Sequence, residues 1–109
     1  MKREFKLYLN DIVDSIENIH RYVGDSEFEE FSKNQMVVDA VLRNLEIIGE
    51  VAACLPTDIK NKYSDVPWRD IQDFRIVVAD HYWKINLVRV WDIIDTKLDL
   101  LKKQVEKML

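Results

Sequence analysis

The chain has little of the residues that build turns, because its 109 residues include only two glycines and two prolines. Glycine and proline dominate tight turns, so their scarcity argues against a sheet protein with many short strands. It predicts an all-α fold made of a few long helices with short connections. A chain of this length forms one domain, and we expect a single domain over residues 1–109.

Cysteine is also scarce, since Cys54 is the only one. A single cysteine excludes an internal disulfide framework and a cysteine-rich metal site, and it fits a reducing compartment. Because the neighbours of Cys54 are apolar, we expect its thiol to be buried.

The chain lacks a surplus of positive charge, with a formal net charge of −4. A general nucleic-acid binder normally carries a basic surplus, so contact with RNA would need a local site, for instance one assembled between subunits. Long apolar runs are absent too, and no stretch approaches the length of a signal peptide or a membrane span. We therefore expect a cytoplasmic protein that does not contact a membrane.

Apolar residues recur at three- and four-residue steps, which predicts four long helices. The first covers 5–23, and Gly24 follows it as a natural C-cap. Ser26 and Glu29 have the spacing of a capping box for the next helical region. The second long helix is predicted from about 33 to 55.

Proline and asparagine divide the second half of the chain. Pro56 ends the second helix, and 57–63 can add a short one. Pro67 is well placed to start the third helix, which we expect to break near 79–83. The last helix starts around Asn86.

The last helix carries a heptad-like seam, which suits either a bundle contact or a dimer contact. Its apolar residues are Leu87, Trp91, Ile94, Leu98, Leu101, Val105 and Met108. In the second helix, Asn44 interrupts the apolar stripe. A buried amide requires partners, so Asn44 either fixes the helix register or lines a polar site.

The segment 75–82 contains the most chemically informative side chains. Arg75 is predicted on the apolar stripe of the third helix, where a guanidinium needs an anionic partner or a ligand. His81 is one of only two histidines and can transfer protons near neutral pH. In a regular helix, positions 75 and 81 differ by about 240° around the axis. One site can use both only if the chain turns between them or two copies combine.

Arg75 and His81 are suited to RNA cleavage without a metal. An imidazole can remove the 2′-OH proton and protonate the leaving oxygen, while a guanidinium stabilises the charge that gathers on phosphorus. No credible cluster of metal ligands is present in the sequence, so we expect no cofactor. The structural alternative is an ion pair of Arg75 with Asp39, Glu50 or Asp80, with His81 at the surface.

Several blocks of the sequence resemble the HEPN superfamily, and within it the HepT-like toxins of HepT–MntA toxin–antitoxin pairs. The blocks are Arg43-Asn44-Leu45-Glu46-Ile47-Ile48-Gly49-Glu50, Val66-Pro67-Trp68-Arg69-Asp70-Ile71, Arg75 through Tyr82, and Val90-Trp91. The resemblance implies an antiparallel HEPN-type bundle of four to five helices that dimerises through long helices, with the Arg-and-His sites at the interface.

The resemblance also implies an activity and a partner. HepT-like proteins are metal-independent RNases that restrain growth in type VII toxin–antitoxin systems. An MntA-like nucleotidyltransferase antitoxin neutralises them by attaching AMP to a tyrosine. Mg²⁺ and ATP would belong to the partner's reaction, and Asn44 would be a supporting polar group.

The match to the HepT pattern is displaced at one residue. The pattern has an arginine, four residues, a histidine, one residue and a tyrosine, so Arg75 matches the catalytic arginine and Tyr82 the AMP acceptor. The histidine position is Asp80, and His81 follows one residue later. Three explanations are open. His81 takes the catalytic role, since the wider HEPN pattern tolerates four to six intervening residues. Alternatively, the chain is a weakened member of the family, or Asp80 replaces a histidine. An ionised Asp80 in the site would pair with Arg75, repel RNA and leave little cleavage.

A second hypothesis is a non-catalytic helical module. It would dimerise through the seam of the last helix and bind a nucleotidyltransferase or a nucleotide. An RNase site predicts that Arg75 and His81 converge within a dimer on an open cleft, whereas a module predicts that Arg75 is fully paired with a carboxylate.

Overall fold

In a computed structural model, the chain folds as a helical bundle. The structure describes residues 4–81 and 86–109, with positions 80 and 81 described by their backbone alone. The elements are α1 (Phe5–Val23), α2 (Phe28–Lys33), α3 (Gln35–Cys54), α4 (Thr57–Lys62), α5 (Trp68–Gln72), α6 (Phe74–His81), α7 (Leu87–Thr96) and α8 (Leu98–Met108). No strand occurs within these two ranges, so the prediction of an all-α fold is confirmed.

The first helix has the predicted bounds, and its cap is confirmed. Gly24 has a φ of 55°, and its N–H donates to the carbonyl oxygen of His20 at 2.8 Å, as expected of a glycine that closes a helix. The predicted capping box is displaced by one residue, because Ser26 belongs to the turn after α1 and donates its backbone N–H to Val23. Glu27 and Glu30 form the box instead.

The third and fourth long helices are each interrupted at one residue. The third divides at Asp73 into α5 and α6, and the fourth divides at Lys97 into α7 and α8. At the second interruption, the Thr96 hydroxyl donates to the Asp92 carbonyl oxygen at 2.7 Å, a contact that bends helices. Helix α6 continues through His81, so the third helix does not break at 79 or 80. The remainder of the predicted interval, 82–83, lies outside the described residues.

The core lies between α3 and its neighbours. Helix α1 packs against α3 and α8, and α3 also packs against α5 and α6. The seam of the last helix points into this core, with its buried members Ile94, Leu98, Leu101, Val105 and Met108. The seam is therefore a contact of the bundle itself. It is not available for the dimerisation that the second hypothesis required.

Cys54 is exposed, so the prediction of a buried thiol is wrong. It is the last residue of α3, and the buried neighbours Val51, Ala52 and Leu55 lie on the core side of that helix end. The apolar surroundings in sequence therefore did not place the thiol in the core.

Two adjacent leucines in α8 provide a test of this packing. Leu101 is 2% exposed and Leu100 is 59% exposed. We expect Leu101→Ala to lower the free energy of unfolding by about 2–5 kcal/mol, because it leaves a cavity in the core. Leu100→Ala should change it by less than about 0.5 kcal/mol. Urea denaturation followed by circular dichroism measures both values, and equal losses would contradict the orientation of α8.

Candidate ribonuclease site

Arg75 is the second residue of α6 and is exposed. The buried residues around it are Trp68, Ile71, Phe74 and Val77, at steps of three residues across the interruption at Asp73. The prediction that Arg75 lies on the apolar stripe therefore holds only for the base of its side chain, which contacts α3, whereas the residue as a whole is exposed. The stripe continues through Val77 and the half-buried Val78, and the exposed Arg75 side chain lies beside it.

The base of the Arg75 side chain contacts α3 and α5. A Cβ atom added to Gly49 would lie only 2.6 Å from the Cγ of Arg75, so the side chain passes directly over this glycine. Its Nε–H donates to the carbonyl oxygen of Gln72 at 3.2 Å. Trp68 fixes the start of α5, because its indole N–H donates to the carbonyl oxygen of Tyr63 at 3.1 Å.

The structural alternative for Arg75 was an ion pair with a nearby carboxylate. No ion pair joins Arg75 to Asp39 or Glu50 in the described part of the chain. Asp39 instead accepts a hydrogen bond from Gln35 at 2.7 Å. The side chain of Asp80, the third candidate partner, lies outside the described residues. The two Nη groups of Arg75 are therefore not used by the carboxylates that the structure describes.

Lys60 on α4 belongs to the same electrostatic neighbourhood. Its partial burial lowers the pKa of the ammonium, the negative charge of Cys54 in its thiolate form raises it, and the positive charge of Arg75 lowers it further. A lysine whose charge is disfavoured in this way gains from a nearby anion. Lys60 is thus a second basic residue whose charge interacts with that of Arg75.

Asn44 is buried at 7% exposure and has hydrogen-bond partners at both ends of its amide. Its Oδ1 accepts from the Nδ2 of Asn18 at 3.2 Å, and its own Nδ2 donates to the carbonyl oxygen of Ala40 at 2.8 Å. These contacts join α1 to α3, so the amide fixes the register of the two helices. A supporting role in a reaction remains a prediction.

The backbone places positions 75 and 81 on one uninterrupted helix. Because α6 is continuous from Phe74 to His81, the chain does not turn between them, and the two positions stay about 240° apart around the axis. The predicted turn between Arg75 and His81 is therefore absent from α6, and the combination of two copies stays a prediction. Tyr82 lies outside the described residues.

Helix α6 also borders a cavity of about 240 Å³, which is lined by Phe74, Val77, Arg89 and Asp92 among others, but not by Arg75.

Within the described residues, no group of three histidine, cysteine or acidic side chains could hold a metal ion. None of the described helices is long and apolar enough to cross a membrane.

The helical fold and the order of the four sequence blocks named in the sequence analysis agree with a known family. The profile of the ribonuclease HepT-like family matches residues 12–108. The chain belongs to the HepT-like ribonuclease family. The family lies in the HEPN superfamily, so this assignment confirms the resemblance seen in the sequence. Arg75, Asp80, His81 and Tyr82 all fall within the matched range.

Curated relatives support the HepT-like assignment. A protein of Thermococcus cleftensis named probable ribonuclease HepT is 33% identical over 108 residues, which is 99% of this chain and 98% of the relative. A protein of Methanocaldococcus jannaschii named as a candidate RNase is 35% identical over 108 residues, 99% of this chain and 89% of the relative. No solved structure matches the chain.

One relative is longer than this HepT-like chain. A second M. jannaschii protein, whose name combines gamma-glutamylcyclotransferase with a candidate RNase, is 32% identical over 109 residues. The match covers 100% of this chain and 49% of that relative, so the chain spans about half its length.

Three residues of this HepT-like site did not stand out in the sequence. Lys60 lies in the electrostatic neighbourhood of Arg75, Gln72 accepts from its Nε across three residues, and Gly49 approaches it from another helix. The periodicity of a single helix predicts none of these interactions. Gly49 did carry a signal, since a glycine inside a helix costs about 1 kcal/mol relative to alanine and so needs a reason.

Proposed function

We propose that this chain is a HepT-like toxin of a type VII toxin–antitoxin system, with Arg75 as the residue that binds the RNA phosphate. The observation that carries the proposal is the state of Arg75: it is exposed, its Nε is held by Gln72, and no described carboxylate neutralises it. Guanidinium Nη groups held in this way match the paired oxygens of a phosphate. Membership of the family supplies the substrate class, RNA.

The proposed reaction is metal-independent transfer within the RNA chain. An imidazole removes the proton from the 2′-OH, the 2′-oxygen bonds to phosphorus, and the bond from phosphorus to the 5′-oxygen breaks. A second imidazole, or the same one, gives a proton to the leaving oxygen. Arg75 stabilises the negative charge on the phosphorane oxygens, and His81 is the acid–base candidate.

Two copies of the chain are proposed to form the site. The support is the continuity of α6, because one uninterrupted helix carries Arg75 and His81 on different sides of its axis. A homodimer that faces two α6 helices toward each other supplies the arginine of one copy beside the histidine of the other.

Asp80 and Tyr82 regulate activity in this proposal. An ionised Asp80 at the histidine position of the family pattern lowers the rate of RNA cleavage, because its carboxylate competes with RNA for Arg75. Tyr82 accepts AMP from an MntA-like nucleotidyltransferase: its phenolic oxygen bonds to the α-phosphorus of ATP, and pyrophosphate leaves. The added phosphate then occupies the positive surface around Arg75.

The experiment that tests the function measures RNA binding and cleavage in EDTA, with Arg75→Ala and Arg75→Lys beside the unchanged chain. Removal of the guanidinium should lower cleavage by about 10²- to 10³-fold, as expected for a group that stabilises the transition state. Lysine should restore part of the RNA binding but little of the cleavage, because it lacks the planar fork. For a single-stranded oligonucleotide, the slope of log K against log salt should fall by about 0.7 for each phosphate that the variant no longer neutralises.

Arg89→Ala is the matched control for this experiment, since Arg89 is an exposed arginine on α7. The same change in net charge there should leave cleavage unchanged. Cleavage that does not depend on Arg75 would contradict the proposed role of Arg75. Absence of cleavage by the unchanged chain and by every variant would contradict the proposed function and favour a non-catalytic module.

A further inference from the structure

Gly49 lies inside α3 and is buried. Glycine in a helix interior is less favourable than alanine by about 1 kcal/mol, so the chain would gain stability from alanine here if the space allowed it. The chain has only one other glycine, Gly24, which serves as the cap of α1. The position of Gly49 therefore needs a reason in the packing.

The surroundings of Gly49 provide that reason. A Cβ at this position would lie 2.6 Å from the Cγ of Arg75, 3.1 Å from the backbone N of Arg75, and 3.1 Å from the carbonyl oxygen of Gln72. Ordinary contacts of a Cβ begin near 3.4 Å. The closest atom, Cγ, is near the base of the arginine side chain and cannot move away without rotating the whole side chain.

The same contact decides where the guanidinium lies. The Arg75 stem occupies the space left by the missing side chain of Gly49, and in that position its Nε reaches the carbonyl oxygen of Gln72 at 3.2 Å. One of the five N–H donors of the guanidinium is thereby used inside the protein, and the four on the Nη atoms have no hydrogen-bond partner among the residues whose side chains the structure describes.

We propose that Gly49 is a positioning residue for Arg75, and this inference rests on the proposed role of Arg75 in binding RNA phosphate. The absence of a side chain on α3 allows the arginine stem to lie flat between the helices. Gly49→Ala forces the stem into another rotamer, breaks the Nε contact with Gln72 and turns the Nη groups away from the phosphate. Helix α3 itself stays intact, because alanine is the better helix former.

The first test reads the position of Arg75 without RNA. In ¹⁵N-labelled protein, the Nε–H signal of Arg75 is assigned by its loss in Arg75→Lys. In Gly49→Ala this signal should shift and exchange faster with solvent, because its acceptor is lost. Glu50→Ala, which changes the next residue of α3 on its exposed side, should leave the signal unchanged. An unchanged signal in Gly49→Ala would overturn the inference.

The second test separates positioning from a general structural effect. Gly49→Ala should weaken binding of a 2′-O-methyl RNA oligonucleotide by about tenfold, the value of one charge-assisted hydrogen bond. In an Arg75→Ala background, which has no Cγ, the same change should alter binding less than twofold. A tenfold loss in both backgrounds would overturn the inference.

The two proposals can fail independently. If Arg75→Ala leaves RNA binding unchanged, the proposed function fails, while the Nε–H signal still decides the role of Gly49. If Gly49→Ala does not fold, the variant with both Gly49→Ala and Arg75→Ala should fold again, because the closest clash is gone. A double variant that stays unfolded would show that the helix backbones themselves require the glycine, which also overturns the inference.

Discussion

Asp80→His is expected to raise RNA cleavage in EDTA by about 10²- to 10⁴-fold, the contribution of a well-placed general acid–base group. The change restores the histidine of the HepT pattern at the residue where this chain departs from it. It also removes a carboxylate that, when ionised, neutralises Arg75 and repels RNA. Cleavage is measured with total RNA and with a labelled oligonucleotide.

Asp80→Asn separates the two physical effects, because it removes the charge without adding a group that transfers protons. We expect Asp80→Asn to strengthen RNA binding and to raise cleavage far less than histidine does. The combination of Asp80→His with Arg75→Ala should cleave poorly, since the phosphorane then lacks its cation. If the unchanged chain cleaves as fast as Asp80→His, then His81 already serves as the acid–base group and the proposed weakening by Asp80 is wrong.

Tyr82→Phe is expected to abolish AMP addition completely in the presence of an MntA-like nucleotidyltransferase, ATP and Mg²⁺. Phenylalanine keeps the ring and removes only the phenolic oxygen that would attack the α-phosphorus, so the loss reports on chemistry and not on packing. Intact mass measurement detects each AMP added, and peptide mapping locates it.

Tyr22→Phe is the control for this modification, because Tyr22 is an exposed tyrosine on α1. The Tyr22→Phe variant should accept AMP as the unchanged chain does. The modified chain should also lose the part of RNA binding that depends on Arg75, since the new phosphate satisfies the guanidinium. Modification that persists in Tyr82→Phe would contradict the assignment of the acceptor.

The parts of the fold that the sequence predicted best depend on local periodicity. The bounds of α1, the start of the last helix after Asn86 and the direction of its apolar seam all follow from apolar residues at helical spacing. Asn86 also caps α7 as a polar residue should, since its side chain accepts from the N–H of Arg89 at 3.2 Å. The family itself could be identified from the order of a few short blocks.

The features that the sequence did not predict depend on interruptions and on contacts between helices. Counting along one regular helix placed Arg75 on the apolar stripe, but the structure leaves the residue exposed, with only the base of its side chain against α3. The close approach of Gly49 and Arg75 joins α3 to α6 across 26 positions of the sequence, and no local pattern contains that distance. The exposure of Cys54 likewise depends on where α3 ends against the core.

The contact of Arg75 with Gly49 and Gln72 also changes what it costs to bind a ligand. A free arginine side chain loses up to about 2 kcal/mol of conformational entropy when it is fixed. Here the stem and the Nε are already held by the folded chain, so part of that loss occurs during folding and not during binding. The guanidinium is preorganised, and a bound phosphate has only the end of the side chain left to order.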